Sequence, residues 1–272
     1  MALSTLATYN VPAHHPFRLI IAKGSVTDFS YPSNPQRSAI VNSTNEVGLR
    51  GGRVDGAVSD AGGPKLKVDR QNLPVKYSKR LLKNVRCPEG KAVMTGPNSY
   101  GKLRVPYVIH AFGGFSTQSL SSAYSSCLEH GKKSSLEAIA FSLLMAGFYL
   151  GSEIMIHEVL KIGVNVIRRY EGYADLKAIY MCAYSETEAK QLVKVANEVF
   201  ATSLPVGKNL PISFFYLGNE SKLKHIIVFC ASHANRKRVN SLNYEKVKDT
   251  GASHYVQQKK AGRYHTLTSG GA

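Results

Sequence analysis

At 272 residues the chain is longer than one typical small domain and short for two large ones. An apolar fraction of 43% suffices for a packed core and excludes wholesale disorder, while no apolar run reaches the roughly 18–20 residues needed to cross a bilayer. A net charge of +17 is the loudest bulk signal, and a field of that size draws polyanions such as nucleic acid or phosphorylated ligands.

The first stretch, Met1 to His15, has Ser and Thr but neither Lys nor Arg and no long apolar core. It fits neither a secretory signal nor an Arg-rich transit peptide, and is read as an N-terminal arm over residues 1–17. Strands are expected at Arg18–Ala22, ended by Gly24, and at Ser38–Val41, ended by Asn42. A glycine turn at Gly51-Gly52 leads into a helix from Val54 to about Ala61, closed by Gly62-Gly63-Pro64. Pro74 then suits the first turn of a helix over Val75–Lys83. Tyr107–Ala111 reads as a buried strand and Leu120–His130 as a helix. Next come a strand at Ala138–Leu144, a loop at Met145–Ser152 and a helix over Glu153–Tyr170 with an apolar face. A strand at Lys177–Tyr184 precedes a helix opening on Ser185 with Glu188 three residues on, the spacing of a capping box. This alternation predicts a three-layer α/β/α domain over residues 18–203, with a mixed but mostly parallel buried sheet.

After Ser203 the character changes. Ile212–Leu217 and His225–Cys230 flank a polar turn and predict a β-hairpin within residues 204–231. Residues 232–272 form a basic stretch read as a flexible tail, where Arg236, Lys237, Arg238, Lys246, Lys248, Lys259, Lys260 and Arg263 face only Glu245 and Asp249. Such a stretch suits nucleic acid or an acidic partner, or is simply solvated. Cys87, Cys127, Cys182 and Cys230 lie far apart without metal-ligand or CxxC spacing. They read as reduced core residues of an intracellular protein, cytoplasmic or nuclear, with no metal and no membrane partner. His110, at the end of a strand with no Cys/His cluster around it, reads as a core histidine or one that supports a site from behind.

Two stretches bear a family signature. The first is Ala39-Ile40-Val41-Asn42-Ser43-Thr44-Asn45, then Gly51-Gly52-Arg53-Val54-Asp55-Gly56-Ala57-Val58, then Gly63-Pro64. The second is Tyr107-Val108-Ile109-His110-Ala111, then Ala138-Ile139-Ala140-Phe141 and the loop Ala146-Gly147-Phe148-Tyr149. In this order, over residues 18–203, they resemble the macrodomain, a module that holds ADP-ribose. Glycine loops between strand and helix expose backbone amides beside a positive helix end, which suits a diphosphate. The resemblance implies that Asn45 binds the distal ribose and that Asp55 holds the position linked to catalysis, where a carboxylate orients water. It implies a ligand site formed by Ser25, Val26, Asn42, Asn45, Gly51, Gly52, Arg53 and Val54, completed by Ala146, Gly147, Phe148, Tyr149 and Gly151. No cofactor is implied. Outside this motif, Asn45 and Asp55 would read as caps and turn formers.

Four positions depart from the family pattern. Ser25 stands where an acid often meets adenine, Arg53 replaces the last Gly of the glycine run, and Leu150 replaces a Gly of the second loop. Ser59 stands four residues after Asp55, where hydrolytic members commonly carry His. The expected function is binding of ADP-ribose or ADP-ribosylated protein, with hydrolysis of mono-ADP-ribosyl esters as a further possibility. The competing expectation is a non-catalytic basic scaffold that contacts nucleic acid or a ribonucleoprotein or viral particle.

Overall fold

The computed structural model describes residues 3–49, 51–78, 83–146, 153–201, 212–217, 225–230, 255–260 and 263–268. The chain divides into two units, Met1–Gly207 and Lys208–Ala272. The first is built on a seven-stranded sheet. Its strands are β1 (Ser4–Val11), β2 (Phe17–Lys23), β3 (Ser38–Ser43), β6 (Lys91–Thr95), β7 (Tyr107–Phe112), β8 (Ala138–Ser142) and β9 (Ala178–Ala183), while β4 (Lys76–Ser78) and β5 (Lys83–Val85) form a separate hairpin. The order across the sheet is β1-β2-β9-β8-β3-β7-β6. Neighbours from β2 to β7 run parallel, and β1 and β6 close the two edges antiparallel.

The central strands read as continuous apolar runs because helices cover both of their faces. On one face Ile40, Val108, Ala138, Ala140 and Cys182 meet Val58 and Leu66 of α1 (Arg53–Gln71), together with Val26, Phe29 and Tyr100. On the other lie α2 (Thr117–Lys133), α3 (Glu153–Arg168) and α4 (Glu186–Ala201). Tyr124 of α2 stacks on Phe141 of β8 with ring centroids 5.2 Å apart. Three layers result, as the alternation of elements predicts. The Ser185–Glu188 capping box is present: Ser185 N donates to Glu188 Oε2 (2.9 Å), and Glu188 N donates to Ser185 Oγ (3.2 Å).

The first unit differs from expectation in three places. Residues 76–78 and 83–85 do not lie in a helix; they make the antiparallel β4–β5 pair. Val75 and Tyr77 stay 43% and 62% exposed, so a helix there would have no apolar face to bury, and β-branched and aromatic residues favour the extended form. Strands β1 and β6 were not expected. β1 is an edge strand, mostly exposed, which erases the apolar signal; it is held by Tyr9, whose ring stacks on Phe200 at 4.8 Å.

The third difference concerns α1. Its backbone is broken at Gly63 (φ 65, ψ −161), where the sequence places a stop, but Pro64 opens a second helical segment that continues to Gln71. Lys102 N donates to the Ala61 carbonyl (2.7 Å), satisfying an acceptor freed by the break. A straight helix would separate the Cα atoms of Asp55 and Arg70 by about 22 Å. Their side chains nevertheless meet at 2.8 Å, so the second segment folds back along the first.

The second unit contains two antiparallel hairpins. One pairs β10 (Ile212–Leu217) with β11 (His225–Cys230), and the other pairs β12 (Tyr255–Lys260) with β13 (Arg263–Thr268). The latter lies in the stretch that the sequence leaves without elements. Among the described residues no helix is long and apolar enough to cross a membrane.

Gly63 holds a conformation that only glycine adopts easily, and nothing lies within 4 Å of an added Cβ. Gly63→Ala therefore acts through the backbone alone and is expected to cost about 2 kcal/mol. Thermal unfolding should shift down by roughly 4–8 °C; an unchanged midpoint would refute the folded-back geometry.

Candidate functional site

Because β2, β9, β8, β3 and β7 run parallel, their carboxyl ends share one edge. In α/β sheets ligands gather at that edge. Emerging there are Gly24-Ser25 after β2, Thr44-Asn45 after β3, Gly113-Gly114 after β7, Leu143 onward after β8, and Tyr184 after β9.

A line of buried polar groups runs beneath this edge. Asn42 of β3 lies opposite His110 of β7, and both are fully buried. Asn42 Nδ2 donates to Asp55 Oδ1 (2.7 Å) and to His110 Nδ1 (3.2 Å). An oxygen turned toward Asp55 would set two acceptors face to face, so the amino group is the half that faces the carboxylate. His110 Nδ1 must then accept, leaving the proton on Nε2 for Thr95 Oγ1 (3.1 Å), which donates onward to the Val108 carbonyl (3.4 Å). Burial, with the Arg70 charge second, holds the His110 imidazole well below its usual range and therefore neutral.

Asp55 sits in the first turn of α1 and is only 2% exposed. Arg70, 1% exposed, comes back to it from the far segment. Arg70 Nη1 donates to Asp55 Oδ1 (2.8 Å) and to Ser59 Oγ (2.7 Å), Nη2 to Thr44 Oγ1 (3.2 Å), and Nε to the Gly48 carbonyl (2.9 Å). Thr44 Oγ1 in turn donates to Asp55 Oδ2 (3.1 Å). The Asp55 carboxylate thus receives three donors, most of the roughly four acceptor positions such a group offers.

Above this pair lies the loop from Asn45 to Gly52. Asn45 Oδ1 accepts from Val47 N (3.0 Å) and Gly48 N (3.2 Å), closing a tight turn. Its Nδ2 faces Gly51: a Cβ there would stand 3.7 Å from that nitrogen and 3.0 Å from Asp55 Oδ2. Gly52 precedes α1 and, as a glycine, offers no side chain to cap the helix; among the described residues nothing lies within 4 Å of an added Cβ there. Arg53 is exposed and left-handed at φ 51. Val54 is half-buried against the core.

The remaining expected residues are more scattered. Ser25 Oγ accepts from Thr27 N (3.3 Å) and pairs with Thr27 Oγ1 (2.7 Å), capping the short turn Val26–Asp28. Val26 itself is 3% exposed, within the core. Ala146 is buried in the segment after β8. Gly147, Phe148, Tyr149 and Gly151, with Leu150, lie outside the described residues. No group of His, Cys, Asp or Glu that could hold a metal occurs among the described residues. Burial pushes the Cys87 thiol up to about 12, so it is no nucleophile.

Sequence reasoning missed Arg70, Thr44 and Tyr184. Arg70 looks like one of many basic residues, and no sequence spacing marks it, because the break at Gly63 separates it from the helical register of Asp55 and Ser59. Tyr184 is 77% exposed, and its neighbour Ala183 accepts from Gly24 N (2.8 Å), which puts position 184 next to the Gly24-Ser25 segment at the carboxyl edge.

Comparison with known proteins points to one family. The family model described as Macro domain matches residues 41–154. A macro domain-containing protein of Listeria monocytogenes serotype 4b is 30% identical over 186 residues, 66% of this chain and 97% of that protein. Human ADP-ribose glycohydrolase MACROD2 is 28% identical over 173 residues, 60% of this chain and 37% of that protein. Among solved structures, the Trypanosoma brucei macrodomain in complex with ADP is 25% identical with a TM-score of 0.54, covering 67% of this chain and 69% of that one.

The neutral His110 gives a pH signature. Its folded-state affinity for protons is depressed, so its contribution to stability is complete above the unfolded value near 6.5 and is lost as pH falls below it. Urea unfolding should lose up to about 1.4 kcal/mol per pH unit there, and His110→Gln should flatten that slope. An identical slope in the variant would contradict the buried neutral assignment.

Proposed function

As the chain belongs to the macro domain family, we propose that its first unit binds ADP-ribose, free or attached to protein, at the carboxyl edge of the sheet. The observation that carries this reading is the meeting of the Asn45 turn with the uncapped start of α1. With its oxygen spent on the turn, Asn45 presents Nδ2 as the donor for a hydroxyl of the distal ribose. Backbone amides at Gly52 and Arg53, at the positive end of α1, supply donors for the diphosphate, and the exposed Arg53 guanidinium adds charge. Tyr184, on the β2–β9 side, offers a face on which adenine stacks. The ADP held by the Trypanosoma brucei macrodomain supports the choice of ligand.

Hydrolysis of a mono-ADP-ribosyl ester is the second reading, favoured by the human glycohydrolase relative. It needs Asp55 to engage water, and the three donors already on that carboxylate favour binding over catalysis. A scaffold role for the basic stretch rests on its charge: binding of RNA or DNA would weaken steeply with salt and disappear when residues 232–272 are removed.

Calorimetric titration with ADP-ribose should give a Kd on the order of micromolar, and Asn45→Ala and Tyr184→Ala should each weaken it about tenfold, equal to 1.4 kcal/mol. No heat and no competition from the wild-type protein would end the proposal. Release of ADP-ribose from a mono-ADP-ribosylated protein should stay at background; release that Asp55→Ala abolishes would establish the hydrolase instead.

A further inference from the structure

Arg70 is tied to both halves of the edge. Its Nε holds the Gly48 carbonyl, the last residue of the turn that Asn45 organises. Its Nη1 holds Asp55 and Ser59 in the first segment of α1, and its Nη2 holds Thr44, the residue before Asn45. One planar group therefore fixes the turn against the helix start, with each arm matched by an oxygen. We propose that Arg70 is a positioning residue for the distal-ribose end of the cleft, setting where Asn45 presents its amide and thereby the preference for ADP-ribose over ADP. The ligand assignment rests on the binding reading above; the fixing of the turn does not.

The chemistry supports a fork over a point charge. A guanidinium spreads its hydrogens in one plane and serves several oxygens at once, whereas an ammonium in the same space reaches fewer of them. Ser59 matters for the same reason. Its short side chain accepts from Nη1 while donating to the Asp55 carbonyl (2.7 Å), occupying little of the space into which Arg70 folds back. The Asn45 turn has further ties, since Arg86 N and Cys87 N donate to the Glu46 carbonyl (2.9 and 3.2 Å). Loss of the Arg70 fork should therefore displace the turn without unfolding it. ADP lacks the distal ribose, so displacement of Asn45 should cost ADP-ribose more than ADP.

The test compares wild type with Arg70→Lys by two readouts. In the ligand-free protein, hydrogen exchange at the Val47 and Gly48 amides should quicken by about tenfold, the factor that follows from losing one buried charge-assisted hydrogen bond. By calorimetry, the ratio of ADP-ribose affinity to ADP affinity should fall about tenfold by the same loss. Should Arg70→Lys fail to fold, Thr44→Val removes the Nη2 acceptor while keeping the ion pair, and should show both effects at about threefold. Unaltered exchange at 47 and 48 overturns the positioning role whatever the ligand is. A proportional fall in both affinities, or none, overturns the selectivity. Faster exchange in a protein whose wild type binds neither nucleotide upholds the positioning role and overturns only the ligand reading.

Discussion

The Asp55–Arg70 ion pair is the constraint on which the carboxyl edge depends. Moving two charges out of water costs several kcal/mol for each ion, and attraction offsets that only when the geometry is good and the remaining polar atoms are matched. Here they are matched: the guanidinium reaches four oxygens, and the carboxylate receives two nitrogen donors on Oδ1 and the Thr44 hydroxyl on Oδ2. Removing either partner would strand the other in a dry interior, a loss of about 3–5 kcal/mol. The pair therefore forces the two segments of α1 to remain folded against each other. It also forces Gly48, and with it the Asn45 turn, to stay where the guanidinium holds it.

The neutral end of the same network explains why the strands beneath can be so apolar. Asn42 and His110 are the polar interruptions at the ends of β3 and β7, and each answers the other. Thr95 on β6 accepts from the imidazole Nε2–H and donates to the Val108 carbonyl. Protonating His110 would bring a second cation near Arg70, with burial as the larger penalty. A chain of bonds thus extends from an edge strand through the sheet to α1. Each member restrains the rotamer of the next, which favours a single geometry over several.

The layered fold was legible because its signals are strong and local. β3, β7, β8 and β9 are short apolar runs bounded by glycine or polar residues, and α4 opens on the Ser185–Glu188 capping box. β1 was not legible because an exposed edge strand has no apolar stripe, and β4–β5 was not because its stabilisation comes from pairing rather than from a core. The site shows the same division. Asn42, Asn45, Gly51 and Asp55 stand in a contiguous motif, and the structure gathers them. Arg70 stands outside it, and only the reversal at Gly63 brings it home, a geometric event that hydrophobic periodicity does not encode. Val26 shows the limit of position within a motif: its neighbour Ser25 is half-buried and caps the turn, and Val26 turns into the core.

Arg53 joins the fold to its use. A non-glycine residue at φ 51 carries a conformational cost of about 1–2 kcal/mol. Its exposed guanidinium also stands at the start of α1, where a positive charge opposes the helix dipole. Neither feature helps the empty protein. In the proposed binding mode, a single anion at the start of α1 offsets the charge term by pairing with the guanidinium and the helix end. That mode and an unstrained protein want different residues at position 53, and Arg53 is the one that suits the proposed ligand.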